Sequence, residues 1–405
     1  MNLAANDVSP NDDPEWTRRL HLGRLARLRA QLERHDCAAG LFYDPINIRY
    51  ATGVTNMQVY SLHNPCRYVF VATNGPVILF EFKGCEHLAE GEPAVDEVRR
   101  AVAWYHFAAG PRVEEYAGQW CEEIAGLLRQ HGGGNTRLAI DRLDPIGTHL
   151  LEEEGIEIVE GQEVAHLARM IKTSEEIAAI RNSIEICQDG IRRMRDATQP
   201  GMTEQEIWSI LHQANIANGG EWIETRLLTS GPRTNPWYQE ASAREVQPGD
   251  MISLDSDLVG PAGYSADISR SWTVGDGKPS AEQRELYALA HEQVSRNVEI
   301  FKPGRSFFEI AEDAQRLPER YADYEQPAIA HGIGLCNEFP LVIHKRWAEE
   351  SGHDGLIEPG MVICVESYAG ATDTREGVKL EQQILITQDG CELLSDLEFE
   401  EALLR

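Results

Sequence analysis

Three aspartates interrupt what would otherwise be a buried hairpin, and this constrains the chain more than any other feature. The run Met251–Trp272 carries apolar stretches on both sides of Gly260, Pro261 and Gly263, so it reads as two strands joined by a tight turn. Asp255 and Asp257 are two apart, which in a strand puts them on one face, and the returning strand could bring Asp267 beside them. Three carboxylates on one face repel one another unless a cation lies between them. A solvated hairpin edge, where aspartate is common, accounts for them as readily.

The rest of the chain supplies room for such a site. At 405 residues it is long enough for two domains. Residues 1–13 are polar and read as a flexible tail. From 14 to 165 an αβ pattern is expected: an amphipathic helix over 15–35, strands at 38–43, 68–73 and 77–82, a helix over 113–131, and strands at 138–141 and 157–159. The stretch Tyr50–Arg67 reads as a long loop. From 170 to 405 the pattern is α+β. Helices start at the capping signals Thr173/Glu176 and Thr203/Glu206, with others over 280–301 and from about Ser306. Strands are expected at 226–229, 251–255, 267–274, 361–366 and 378–386.

Composition excludes several partners. A net charge of −29 opposes binding to nucleic acid or to an anionic membrane surface. The longest apolar runs fall short of a membrane span, and the first residues lack a basic region followed by an apolar core, so a cytoplasmic protein is expected. Eight cysteines without a CxxC spacing read as reduced structural thiols. There is no dinucleotide fingerprint and no phosphate-binding loop.

Three further charges fall where a core is expected. His331 sits between an apolar segment and Gly332-Ile333-Gly334, a setting more often structural than ligating. Glu366 ends an apolar run, and Glu381 interrupts Val378–Ile386; each alone fits the solvent face of a strand. Together with Asp255, Asp257 and Asp267 they form an oxygen-rich set with one imidazole. That composition suits carboxylate-bridged Mn, Fe, Co or Zn better than a thiolate zinc site. A pair of ions about 3.5–4 Å apart would neutralise the acids and polarise a substrate oxygen.

On these motifs the chain resembles the pita-bread metallohydrolases, the group of methionine aminopeptidase, prolidase, aminopeptidase P and creatinase. Asp267-Ile-Ser-Arg-Ser matches the second aspartate motif, His331-Gly-Ile-Gly the histidine motif and Gly377-Val-Lys-Leu-Glu-Gln the final glutamate motif. The resemblance covers roughly 15–400. It implies a creatinase-like α/β N-terminal domain before a pita-bread catalytic domain. It also implies a dinuclear centre and a homodimer in which Tyr50–Arg67 lies near the neighbouring active site.

The differences from the peptidases point to one branch. Glu338 stands where they keep a proton-shuttling histidine, seven residues after His331. Trp237 and Tyr238 lie in a segment where they keep another. Asp255-Ser-Asp257 replaces their Asp-x-Gly. The metal-dependent dimethylsulfoniopropionate lyases share these changes, and all six ligand positions match theirs. The resemblance implies a small-molecule substrate whose α-proton is removed while dimethyl sulfide leaves from the β-carbon to give acrylate. Trp237 and Tyr238 could hold the sulfonium by cation–π attraction, or simply pack in a core. The resemblance places the base at Asn337, but an amide is no general base; Glu338 beside it is the substitute, and Gln326 lies near the place of a pocket tyrosine. The alternatives are an Xaa-Pro dipeptidase, aminopeptidase P-like or creatinase-like hydrolase, and a non-catalytic binder. Retention of six ionisable positions speaks against the last.

Overall fold

The computed structural model describes residues 13–405, so the expected tail, apart from Asp13, lies outside the described residues. The chain divides into two units, one reaching Arg169 and the other running Met170–Arg405. Among the described residues no helix is long and apolar enough to cross a membrane.

The first unit is a mixed sheet covered by helices. Its strands are β1 (Ala39–Phe42), β2 (Tyr68–Ala72), β3 (Val77–Glu81), β4 (Glu97–Arg100), β5 (Arg137–Ile140) and β6 (Glu157–Glu160), in the order β4-β3-β2-β1-β5-β6. The helix Val113–His131 lays Ala117, Trp120, Ile124 and Leu128 onto a core with Leu41, Phe70, Phe80 and Leu138. That is the apolar stripe its 3.6-residue period demands. Tyr50–Arg67, expected as a loop, instead carries the end of one short helix, Pro45–Thr52, and the whole of another, Gln58–His63. Asp44 caps the first and Pro45 opens it, a start signal that its small size hid from periodicity.

The second unit holds three antiparallel sheets. One contains β7 (Trp222–Ile223), β10 (Leu258–Val259) and β11 (Ser265–Ala266). A second contains β8 (Leu228–Ser230), β9 (Met251–Leu254) and β12 (Arg270–Thr273). The largest runs β14-β13-β15-β16-β17, with β13 (Ala328–Ile333), β14 (Asn337–Ile343), β15 (Val362–Ala369), β16 (Val378–Ile386) and β17 (Cys391–Leu393). Four helix starts close reciprocal capping boxes, at Thr173/Glu176, Thr203/Glu206, Ser280/Gln283 and Ser306/Glu309. The mixture of helices and largely antiparallel sheets is α+β.

The expected hairpin is present but broken in the middle. β9 pairs with β12 in one sheet and β10 with β11 in another, leaving 255–257 opposite 267–269 with no ladder between them. Ser256 fills the gap: its hydroxyl donates to Ala266 O at 3.1 Å and accepts from Ile268 N at 2.8 Å. Asp255 and Asp257 therefore do not share a strand face as expected. They sit in the break, where Asp257 has φ +35°, and the change of sheet, not strand alternation, aims them.

Candidate metal centre

Two β elements and their hydroxyls assemble the site. Ser271 Oγ donates to Lys379 O at 3.0 Å, and Ser253 Oγ donates to Gly377 O at 3.0 Å. Glu381 N donates to Ser269 O at 3.2 Å. These bonds dock the small β8-β9-β12 sheet against β16 and set the hairpin break beside the larger sheet. On β15 and β16, Glu366 and Glu381 are cross-strand partners, and His331 on β13 lies opposite Cys364 on β15. The six candidate ligands come from the hairpin break and three neighbouring strands.

The structure brings five of them into two overlapping groups. Ligand atoms of Asp255, Asp257 and Asp267 lie within 4.8 Å of one another, as do those of Asp267, His331, Cys364 and Glu381. Nε2 of His331 is 3.5 Å from Glu381 Oε1 and 3.8 Å from Asp267 Oδ2. Glu366 joins through Lys379, whose Nζ donates to its Oε2 at 2.8 Å. Further donors aim the acids: Ser269 Oγ is 2.6 Å from Asp255 Oδ1 and 2.7 Å from Glu381 Oε2, Thr225 Oγ1 donates to Asp257 Oδ2 at 2.7 Å, and the Asp257 amide donates to Asp267 Oδ1 at 3.2 Å.

The electrostatics are those of acids pressed together out of water. Burial pushes all three aspartates above the usual carboxylate range. Asp257 reaches about 6 with Asp255 adding to the shift, and Asp267 goes well above, helped by Asp257 and Glu381. Glu381 goes the other way. Burial would raise it, yet the Lys379 ammonium and the nearby His331 imidazole hold it at about 2. Burial would lower His331, and the close Glu381 carboxylate with the Glu366 charge outweighs this, lifting it to about 9.

Two observations test whether a metal fits. Glu381 Oε1 is buried with no hydrogen-bond donor, and the donor set is hard oxygen plus one imidazole, the chemistry of first-row divalent ions. Both agree with metal ligation. Cys364, Lys379, Ser269 and Thr225 belong to this cluster and were missed from sequence. Lys379 carried a signal, since it lies two residues before Glu381 and so on the same strand face.

The remaining candidates separate. Trp237 is buried, with its ring centroid 5.8 Å from that of Tyr368. Tyr238 follows with φ +67°, and its hydroxyl accepts from Gln326 Nε2 at 2.9 Å. Asn337 opens β14 and is exposed. Glu338 is not the free proton acceptor expected of it: its Oε2 accepts from Lys172 Nζ at 2.7 Å and its Oε1 from Leu335 N at 3.1 Å, with both charged side chains buried. A Cβ on Gly334 would lie 2.7 Å from that carboxylate, which explains the second glycine after His331. An acid and an amide one residue apart on a strand face opposite ways.

Comparison with known proteins places these features in context. Residues 178–388 match the model of metallopeptidase family M24, and 24–171 match the creatinase/prolidase N-terminal domain. Dimethylsulfoniopropionate lyase DddP of Roseovarius nubinhibens is 41% identical over 386 residues, covering 94% of this chain and 86% of the relative. An Xaa-Pro dipeptidase of Pyrococcus furiosus is 30% identical over 237 residues, 57% of this chain and 65% of that one. Among solved structures, an Xaa-Pro dipeptidase from Bacillus anthracis superposes with a TM-score of 0.75 at 21% identity, covering 94% of this chain and 99% of the other.

Proposed function

The chain belongs to metallopeptidase family M24, and from that premise we propose that it is a lyase cleaving dimethylsulfoniopropionate to dimethyl sulfide and acrylate. One observation carries the reading against the family's peptidases. The acid cup is complete, yet the position of their proton shuttle holds Glu338, locked to Lys172 in a buried ion pair. A carboxylate whose charge is neutralised in that way cannot relay a proton to a leaving amine. β-Elimination needs no such relay, because dimethyl sulfide leaves without protonation.

Asp255, Asp257, Asp267, His331, Glu366 and Glu381 are proposed to hold two divalent ions, Fe, Mn, Zn or Co. When bound, such ions anchor a substrate carboxylate and stabilise charge developing beside it. The faces of Trp237 and Tyr238, whose ring centroids are 6.5 Å apart, are proposed to receive the sulfonium. With Glu338 tied down and Asn337 an exposed amide, Tyr238 Oη is the proton acceptor we assign. Burial raises the Tyr238 hydroxyl above its usual range, and the N–H that Gln326 donates to it offsets part of that rise. In its ionised form Tyr238 Oη takes the proton from the carbon bearing the carboxylate and becomes a neutral phenol, that electron pair becomes the carbon–carbon double bond, and the carbon–sulfur bond breaks with its electrons on sulfur.

A homodimer is part of this reading, supported by exposed Met57, Val59, Tyr60 and Leu62 on the stretch Tyr50–Arg67. A cytoplasmic setting is supported by thiols such as Cys121, Cys187 and Cys364, which sit singly in buried surroundings. The test is a substrate panel on the purified protein. Dimethyl sulfide released from dimethylsulfoniopropionate, with no proline released from Xaa-Pro dipeptides, is the expected result; the reverse pattern would make the chain a peptidase.

A further inference from the structure

Lys379 is fully buried, and its ammonium faces acids on every side. Nζ lies 2.8 Å from Glu366 Oε2, 3.2 Å from Glu381 Oε2, 3.3 Å from Asp255 Oδ2 and 3.1 Å from Ser269 Oγ. For Glu381 the other oxygen is the donor-free Oε1 on the His331 side. The lysine thus holds Glu381 by one oxygen and leaves the other facing the imidazole. The charges would also close in the loaded cup: Asp255, Asp257, Asp267, Glu366 and Glu381, once ionised, bring five negative charges, and two divalent ions with one ammonium bring five positive ones.

We propose that Lys379 is a positioning residue, a built-in cation that keeps the acid cup assembled before metal enters and that opposes the metal once it is bound. The proposal rests on the metal reading of the cup. Its logic is that of like charges sharing one set of counter-charges. In the metal-free cup the ammonium does part of the work the ions would do, because an uncompensated cluster of buried carboxylates is strongly destabilising. In the filled cup it sits a few ångströms from ions of its own sign and weakens their binding. The two effects are one linkage: what stabilises the metal-free form more than the loaded form must lower metal affinity. The neutral substitution Lys379→Met therefore has two opposite consequences, which simple loss of packing would not produce.

The experiment uses full-length protein stripped with a chelator, with Mn²⁺ as the probe, and follows melting temperature and Mn²⁺ affinity by calorimetry. Stripped Lys379→Met is expected to melt below stripped wild type, to recover most of the difference on adding Mn²⁺, and to bind Mn²⁺ about tenfold or more tightly. Lys379→Arg, which keeps the charge, is expected to keep the wild-type response to Mn²⁺. If Lys379→Met does not fold when stripped, refolding in Mn²⁺ supports the proposal, and failure to refold there overturns it. Equal losses of stability with and without Mn²⁺, or unchanged or weaker Mn²⁺ binding, would also overturn it. Wild type that takes up no Mn²⁺ would instead remove the metal reading beneath it.

Discussion

Tyr238 holds a backbone conformation that a residue with a Cβ adopts only under constraint. Its φ of +67° costs on the order of 1–2 kcal/mol, and the bond from Gln326 is one contact that holds it. Strain of this kind tends to persist where it aims a functional group. Tyr238→Phe removes one oxygen and leaves the ring. If that oxygen takes the proton, kcat should fall by about 10²–10⁴-fold with metal content unchanged. Full activity in the phenylalanine variant would place the acceptor elsewhere, and a gain of rate in Asn337→Asp would then identify position 337 as the one that carries it.

At the scale of elements, the β13–β14 hairpin shows what a sequence discloses and what it hides. His331 and its two glycines were legible as a motif, but the reason for Gly334 was not. It depends on Lys172, which is 166 positions from Glu338 and reaches its carboxylate. Glu338 accordingly read as chemistry when its place in the strand makes it structure. In the same way the acids at 255, 257 and 267 were visible as charges in an apolar run, whereas the break that aims them depends on two sheets parting and on Ser256 bridging the gap. Long-range partners of this kind leave no periodicity behind. Lys172→Met should strip the buried Glu338 charge of its partner and cost about 3–5 kcal/mol in denaturant unfolding. The double change with Glu338→Leu should recover most of that loss, since no charge is then left buried. A double variant as unstable as the single one would show that the pair does not act as a unit.

At the scale of the molecule, the second unit carries the whole proposed ligand set, and its β8-β9-β12 sheet meets the large sheet through serine hydroxyls and one backbone bond and not through a continuous ladder. Short hydroxyl side chains let two backbones approach closely enough for carboxylates on both to converge, and convergence is what a cluster of like charges resists. The fold and the chemistry are therefore one problem: on the proposed reading, the sheets close over five acids because cations balance them. Titrating Mn²⁺ into chelator-stripped protein, while measuring dimethyl sulfide in the headspace over dimethylsulfoniopropionate, tests this most directly. Gas release should be absent from stripped protein and return with metal, reaching its plateau near two equivalents per chain. Undiminished release from stripped protein, or metal uptake and release that persist in Asp267→Ala, would contradict it.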